Sequence, residues 1–170
     1  MVETKYGKYV IREPIANMRG TPVIHICAEE GCAGASFPSF PAEQTLVYIT
    51  KPVTMNPKPH AHDFDQFLCF FGSNPKNLFD FGAEIEVVLG EEGESHIFDT
   101  PSIVYIPKGL IHCPVNVKRV DKPIMFMHIC FAPEYTRSVG DMSGHPEHAD
   151  YKKFSPEEIR KLKGGTPKGK

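Results

Sequence analysis

Short runs of β-branched and aromatic residues lie between prolines and glycines along this sequence. The clearest runs are TLVYIT (45–50), AEIEVVL (83–89), SIVYIP (102–107) and PIMFMHICF (123–131). The 16 prolines and 14 glycines are spread over all 170 residues, which favours short elements joined by turns. Long apolar patterns of 3.6-residue period are missing before the C-terminal part, so a helical bundle or a doubly wound α/β sheet would lack its helices. An all-β sandwich or barrel is therefore predicted.

One short helix is predicted near the C-terminus, in FSPEEIRKLKGG (154–165). Ser155 can cap its N-terminus, a proline suits the first helical position, and Glu158 completes a capping box. The two glycines end the helix. Ile159 and Leu162 give it only a narrow apolar stripe, so we expect a clasp against the outside of the barrel.

The charge balance excludes some partners. A formal net charge of -2 and a pI near 6.4 provide no general attraction to phosphate backbones or anionic lipid, although the C-terminal lysines form a small basic tail. No apolar run of signal-peptide length begins the sequence, and none approaches the ~20 residues of a membrane helix. We therefore expect a cytoplasmic protein with neither a nucleic-acid nor a membrane partner.

The cysteines do not suggest a disulfide framework, because they are odd in number and scattered. They are Cys27, Cys32, Cys69, Cys113 and Cys130. Cys27 and Cys32 are separated by four residues, which is wider than the usual zinc-binding pair, and no second pair of similar spacing completes a tetrahedral site. Reduced thiols are predicted.

Three histidines in two separate stretches can meet at one metal ion. In PKPHAHDFDQFLCFFG, His60, His62 and Gln66 have the same parity, so they point to one face of an extended strand. In the second stretch, Pro107 and a glycine favour a tight turn before His112, which begins another strand. Neutral imidazole is a favoured ligand for Zn, Fe, Ni and Cu, and for Mn together with oxygen donors. The third histidine can close the site.

These two stretches resemble the paired motifs of the cupin superfamily. HAHDFDQFLCFFG is similar to the first motif, in which two histidines separated by one residue are followed by a glutamate and then a glycine. PKGLIHCPVN matches the second motif, PxGxxHxxxN. The resemblance covers about residues 57–117, and the flanking strands, about 45–131, complete the predicted barrel. It implies a cupin-type jelly-roll β-barrel holding one divalent transition metal. The implied ligands are His60, His62, Gln66 and His112.

This resemblance also divides the chain. Residues 1–44 become an N-terminal segment whose strands pack on the barrel, and residues 45–135 form the barrel core. Residues 136–170 contain a polar loop, the short helix and the basic tail. The link between the two motifs is lengthened by residues 73–84, which we interpret as loop variation.

The main departure from the cupin pattern is Gln66, which stands where the motif has glutamate. A neutral amide oxygen in place of a carboxylate leaves the metal its full positive charge, so the metal should bind an anionic or bidentate oxygen ligand more strongly. Glutamine is also the weaker ligand. The site then approaches a three-histidine centre with open positions, an arrangement typical of catalytic metals.

Two residues outside the ligand set are predicted to be catalytic, Glu86 and His128. Glu84 and Glu86 share a strand face opposite aliphatic residues, so they point either outward to solvent or into the cavity, where one can act as a general base. His128 lies in a strand with two apolar faces. It is either a hydrogen-bonded buried residue or a cavity-lining acid or base.

Other residues are assigned by parity. Phe64, Leu68 and Phe70 share the parity of the ligands and should make the pocket wall apolar, whereas Asp63 and Asp65 should point away. The remaining histidines lack matching partners and are expected at the surface. They are His25, His96, His145 and His148.

The expected function is that of a metal-dependent enzyme acting on a small oxygenated molecule, such as a carbonyl, enol or carboxylate compound. The cupin resemblance implies a dioxygenase if the metal is Fe, and a non-redox isomerase or lyase if it is Mn, Ni or Zn. The alternative is a non-catalytic cupin that binds or senses a small ligand. Cupin barrels often pair through edge strands, so a homodimer is expected.

Overall fold

The computed structural model describes residues 6, 9–28, 32–37, 41–132 and 151–164. The strands are β1 (Ile15–Met18), β2 (Thr21–Cys27), β3 (Ala35–Ser36), β4 (Glu43–Ile49), β5 (Val53–Met55), β6 (Gln66–Gly72), β7 (Ala83–Leu89), β8 (Glu94–Phe98), β9 (Ser102–Ile106), β10 (His112–Val120), β11 (Ile124–Cys130) and β12 (Tyr151–Lys153). The helix is α1 (Pro156–Leu162). The polar loop predicted before β12, with His145 and His148, lies outside these residues.

The strands form two sheets that face each other. The larger sheet has the order β12-β1-β2-β4-β11-β6-β9, with β3 beside β2, and the smaller has the order β5-β10-β7-β8. Successive strands from β4 to β11 switch between the sheets at every step except β7 to β8, which are neighbours in the smaller sheet. As a result β4-β11-β6-β9 covers β5-β10-β7-β8. This is the order of an eight-stranded jelly roll. The predicted all-β jelly roll is confirmed, and β1, β2, β3 and β12 extend the larger sheet beyond β4.

The four clearest β-prone runs are all strands. The run 83–89 coincides with β7, and the other three correspond to β4, β9 and β11 within two residues at each end. Their alternation follows the sheet, since every second side chain enters the space between the two sheets. In β6 and β11 the opposed pair Phe70 and Phe126 illustrates this, with ring centroids 5.1 Å apart. The runs therefore predict both the strands and the core.

Apolar side chains from both sheets fill the barrel. The larger sheet contributes Val47, Ile49, Leu68, Phe70, Ile106, Ile124 and Phe126 to this core, and the smaller contributes Ala83, Ile85, Val87, Val115 and Val117. Burial of such side chains is the main stabilising contribution to a fold of this kind. The polar residues described below lie at one end of this core.

The C-terminal helix begins as predicted but packs differently. Ser155 Oγ accepts a hydrogen bond from Glu158 N, and the Glu158 carboxylate accepts one from Ser155 N, which completes the capping box. No residue of α1 is buried, so its narrow apolar stripe does not clasp the barrel. Strand β12 instead joins this segment to β1, and Lys163 forms a salt bridge of 2.6 Å with Glu13. In the described chain no helix has the length and hydropathy to cross a membrane.

The prediction of reduced thiols is wrong for one pair, because Cys27 and Cys32 are joined by a disulfide. The chain turns back after β2 and returns as β3, a parallel neighbour of β2, which brings the two Cα atoms to 6.3 Å. Spacing alone did not reveal this return. Cys69, Cys113 and Cys130 are buried and form no disulfide within the described ranges.

Phe70→Ala tests the core. Phe70 is fully buried, so the loss of its contacts should lower the free energy of unfolding by about 3–5 kcal/mol. Phe79→Ala is the matched control, because Phe79 is 88% exposed and its loss should change stability by less than about 0.5 kcal/mol. Urea unfolding followed by circular dichroism measures both; equal destabilisation would contradict the packing described.

Candidate metal centre

The backbones of the two histidine stretches pair directly. His60 N donates to the His112 carbonyl at 3.0 Å, and His112 N donates to the His60 carbonyl at 2.9 Å. Together they form an isolated antiparallel bridge between His60, which lies outside the named strands, and the first residue of β10. Residues that exchange both bonds have Cα atoms about 5.5 Å apart. The two motifs are therefore brought together by their main chains.

Residues 61–65 form a bent connection, whereas the sequence predicted that His60 and His62 lie on an extended strand. The strand ladder begins only at Gln66, the first residue of β6. A loop takes the place of a partner strand here, because Gly109 N donates to the His62 carbonyl at 2.8 Å. His60, His62 and Gln66 are nevertheless all buried, as their parity predicted.

The turn predicted before His112 is present. Leu110 N donates to the Pro107 carbonyl at 3.1 Å, and Gly109, the third residue of the turn, has a φ of 81°. Glycine adopts this left-handed conformation without the steric cost that a Cβ adds. The turn positions the carbonyl of Leu110, which holds the His112 ring as described next.

Three buried imidazoles face one another, those of His60, His62 and His112. Their ring centroids are separated by 4.9 Å for His60 and His62, 4.5 Å for His60 and His112, and 5.1 Å for His62 and His112. One nitrogen of each ring lies within 4.8 Å of the corresponding nitrogens of the other two. Ligand nitrogens bound to one tetrahedral zinc lie about 3.4 Å apart, so these rings are near the spacing that one ion needs.

The hydrogen bonds of two rings suit a metal ligand. His60 Nδ1 donates to the Lys58 carbonyl at 3.0 Å, and His112 Nδ1 donates to the Leu110 carbonyl at 2.9 Å. Each bond places the proton on Nδ1 and the lone pair on Nε2. Metal-binding histidines are usually held in this way by a carbonyl or carboxylate on the other nitrogen. The donor set therefore fits a divalent transition metal.

Gln66 links the histidine cluster to His128. The Gln66 amide nitrogen lies 3.0 Å from His112 Nε2, and His128 Nε2 donates to the Gln66 Oε1 at 2.6 Å. In this orientation the amide N–H donates to the nitrogen that would bind a metal. Rotation of the amide by half a turn directs Oε1 toward His112 and N–H toward His128. The ligand role predicted for Gln66 requires this second orientation.

His128 lines the same interior as the ligands. On β11 it lies opposite Leu68 of β6 and Thr45 of β4, both of which are buried. Its Nε2 is also 3.2 Å from Cys130 Sγ. A half-buried imidazole that contacts the side chain next to His112 can hold or transfer a proton near the metal position.

Comparisons with known proteins concern the fold. No protein-family model and no curated protein sequence matches the chain. A cupin superfamily protein from Desulfitobacterium hafniense is 11% identical with a TM-score of 0.41, and the match covers 59% of this chain and 73% of that one. KdgF from a Halomonas species is 15% identical with a TM-score of 0.36, over 56% of this chain and 71% of that one. A variant of oxalate decarboxylase from Bacillus subtilis is 15% identical with a TM-score of 0.47, and the match covers 91% of this chain and 35% of that one.

The strand order of this chain decides the fold class. Its two sheets have the jelly-roll order found in cupins, and the three histidines lie at the end of the barrel where β6 and β10 begin. The chain has a cupin fold. Within this cupin barrel, Phe64 stacks on His62 with ring centroids 4.8 Å apart, and Leu68 and Phe70 are buried. The apolar wall predicted from parity is present.

Glu86 does not join the site. Ile85 and Val87 occupy the interior of the cupin barrel, so the side chain of Glu86 lies on the outer face of β7. Hydrogen bonds from Ser95 at 2.7 Å and Asn116 at 2.9 Å hold the pKa of Glu86 below its ordinary value. The catalytic role predicted for Glu86 is therefore corrected to that of an outer-surface carboxylate.

The sequence reasoning missed three polar residues that enter the interior, Glu43, Thr45 and His25. Glu43 and Thr45 lie on the inner face of β4, before Val47 and Ile49, and are buried. His25, expected at the surface, is fully buried, and its Nδ1 lies 3.0 Å from Thr45 Oγ1. Their parity with Val47 in EQTLVYI and with Val23 in TPVIHIC was the available signal.

His60→Ala should abolish tight metal binding, because it removes one of three facing imidazoles. His96→Ala is the matched control, since His96 is half-exposed on β8 and should leave affinity unchanged. Titration of metal-free protein with Zn²⁺ or Mn²⁺ in a calorimeter measures both. Equal affinities in the two variants would contradict the site.

Gln66→Ala should weaken metal binding by about 10–100-fold, which is the usual effect of removing a side chain that orients a ligand or binds weakly. This loss is smaller than that expected for His60→Ala. Gln44→Ala, on the other face of the larger sheet, is the control and should not alter affinity. A loss with Gln66→Ala as large as that with His60→Ala would show instead that Gln66 is a principal ligand.

Proposed function

We propose that this chain is a metal-dependent cupin enzyme that acts on a small oxygenated molecule. The observation that carries the proposal is the cluster of His60, His62 and His112, in which two rings are already oriented by backbone carbonyls. The metal would be one divalent ion of Fe, Mn, Ni or Zn. When bound, it would act as a Lewis acid that polarises a carbonyl, enolate or carboxylate oxygen.

The ligands favour an anionic substrate. All four candidate donors are neutral, so the charge of the ion is not compensated by a carboxylate ligand. Phe64 and Leu68 exclude water from part of the surroundings, and electrostatic attraction is stronger in such a low-dielectric environment. These side chains therefore support the binding of an enolate or carboxylate oxygen beside the histidines.

His128 is the proposed acid or base. It is half-buried, lies on the inner face of β11 and donates to Gln66 Oε1. A proton held on Nε2 is thus one side chain away from the metal position. In a non-redox isomerisation or elimination, this imidazole would move the proton. In a dioxygenase reaction it would instead orient the substrate oxygen through a hydrogen bond.

Turnover by metal-loaded protein tests the activity. Protein loaded in turn with Fe, Mn, Ni or Zn is incubated with diketones, phenolic acids and keto acids, while oxygen uptake and product formation are recorded. Oxygen uptake with Fe supports a dioxygenase, and product without oxygen uptake supports an isomerase or lyase. Tight binding of metal and ligand without any product would favour the alternative, a non-catalytic ligand-binding cupin.

His128→Gln separates catalysis from metal binding once a substrate is found. Loss of a positioned acid or base lowers kcat by about 10²–10⁴-fold, whereas metal affinity should be retained. His96→Gln is the matched control, because His96 is half-exposed on the edge strand β8, and it should leave kcat unchanged. A variant His128→Gln with unchanged kcat would overturn the role of His128.

We also propose that the chain forms a homodimer through the outer face of its larger sheet. Ile103, Tyr105 and Tyr48 are each more than half exposed there, and Phe67 contacts both Tyr105 and Phe131 through ring pairs. A broad apolar surface of this kind is typical of a protein interface. A two-fold pairing of this face would cover it in both copies.

Ile103→Glu should convert the dimer to a monomer, because the carboxylate would be buried in the interface without a partner. Ile97→Glu is the control, since Ile97 is 57% exposed on β8 of the smaller sheet. Light scattering after size-exclusion chromatography gives the mass of each variant. A monomeric parent chain, or a dimer that survives Ile103→Glu, would contradict the proposed interface.

A further inference from the structure

A second group of metal-ligating side chains lies at the C-terminal end of β2. His25, Cys27 and Cys32 each offer one ligand atom, and these atoms lie within 4.8 Å of one another. His25 and Cys27 are buried and Cys32 is partly buried. Strands β4 and β11 separate β2 from β6, which amounts to three interstrand spacings of about 4.8 Å. This cluster is therefore distinct from the His60 site.

The local fold builds this cluster closely. His25 and Cys27 have the same parity on β2 and point to the interior, and β3 lies beside β2 as a parallel neighbour. Gly34, between Cys32 and β3, packs so closely on β2 that a Cβ at this position would overlap the His25 carbonyl. Only glycine permits this approach. The return of the chain thus holds Cys32 next to His25 and Cys27.

The His25 ring is oriented from its other side. Its Nδ1 lies 3.0 Å from Thr45 Oγ1 on the neighbouring strand, and this contact orients the ring. A hydrogen bond on the second ring nitrogen is the usual way in which a metal-binding histidine is fixed. Two thiolates and one imidazole are soft to borderline donors that favour Zn²⁺ over Mg²⁺ or Ca²⁺.

A buried carboxylate lies close to the cluster. The register of β2 and β4 pairs His25 with Thr45 and the next residue with Gln44. Continuing this register by one residue places Cys27 opposite Glu43, which is only 6% exposed. Directly opposed residues have Cβ atoms about 4.5–5.5 Å apart. A cation at the cluster would therefore stabilise a carboxylate that burial otherwise disfavours.

We propose that His25, Cys27 and Cys32 bind one zinc ion when the Cys27–Cys32 disulfide is reduced. Reduction by a thiol or phosphine adds two electrons and two protons and yields two thiols. Zn²⁺ then displaces the two thiol protons and is held by two thiolates and the imidazole. In the oxidised chain the same two sulfur atoms form the disulfide, so redox conditions decide whether a metal or a covalent bond fastens β2 to β3.

Cobalt titration of the reduced protein tests the proposal. Co²⁺ substitutes for Zn²⁺, and only a thiolate site produces sulfur-to-cobalt charge-transfer absorption, which the His60 site lacks. We expect this absorption in the reduced parent and in the reduced His112→Ala variant. In His112→Ala, addition of one equivalent of Zn²⁺ should abolish the absorption. It should be absent from Cys32→Ser and retained in Cys69→Ser. No absorption in the reduced parent, or its persistence in Cys32→Ser, would overturn the proposal.

Alkylation of the unaltered chain provides a second measurement that needs no folded variant. Reduced protein is treated with iodoacetamide with or without Zn²⁺, and modified cysteines are located by mass spectrometry. Zn²⁺ should slow alkylation of both Cys27 and Cys32 at least tenfold and should leave Cys69 unaffected. Equal alkylation rates of Cys27 and Cys32 with and without Zn²⁺ would contradict the site, whether or not the His60 site binds metal.

Discussion

Two backbone hydrogen bonds between His60 and His112 determine where the histidine cluster lies. They join a bent connection before β6 to the first residue of β10, and so connect the two sheets at one end of the barrel. Each of these histidines then donates from Nδ1 to the carbonyl two residues before it, that of Lys58 or Leu110. The main chain therefore fixes both the position and the proton of each ring, so little ordering remains to be done on ligand binding.

The larger sheet changes character along its strands. Toward one end its inner face is apolar, with the opposed pair Phe70 and Phe126 in the core. Toward the other end the opposed residues are polar, since Gln66 faces Cys130, and Cys130 faces Glu43. Polar groups in a barrel interior cost free energy unless they are hydrogen-bonded. Because the polar residues are grouped at one end of the inner face, this free-energy cost arises only at the end where the histidines lie.

Structure could be predicted from the sequence where the spacing of residues followed the alternation of a strand or the pattern of a turn. The strand runs, the turn at Gly109 and the three clustered histidines were predictable in this way. The two faces of AEIEVVL were recognisable as well, but only the packing of Ile85 showed that Glu86 points outward. The disulfide partners were misjudged because the parallel return of β3 onto β2 has no local signature, whereas the burial of His25 could have been predicted from its parity with Val23. The spacing of residues in the sequence does not predict which strands become neighbours, so contacts between such strands could not be predicted.

Gln66 occupies a position at which cupin motifs have a carboxylate. The two groups differ in the direction of the hydrogen bonds that they can form. A carboxylate accepts from both sides, whereas an amide must accept on one side and donate on the other. In the observed orientation His112 Nε2 accepts from this amide and His128 Nε2 donates to it, so each ring meets a complementary partner. Turning the amide exchanges the two roles at once. A single side chain thus makes the electronic state of one imidazole depend on that of another, although the two rings belong to different sheets.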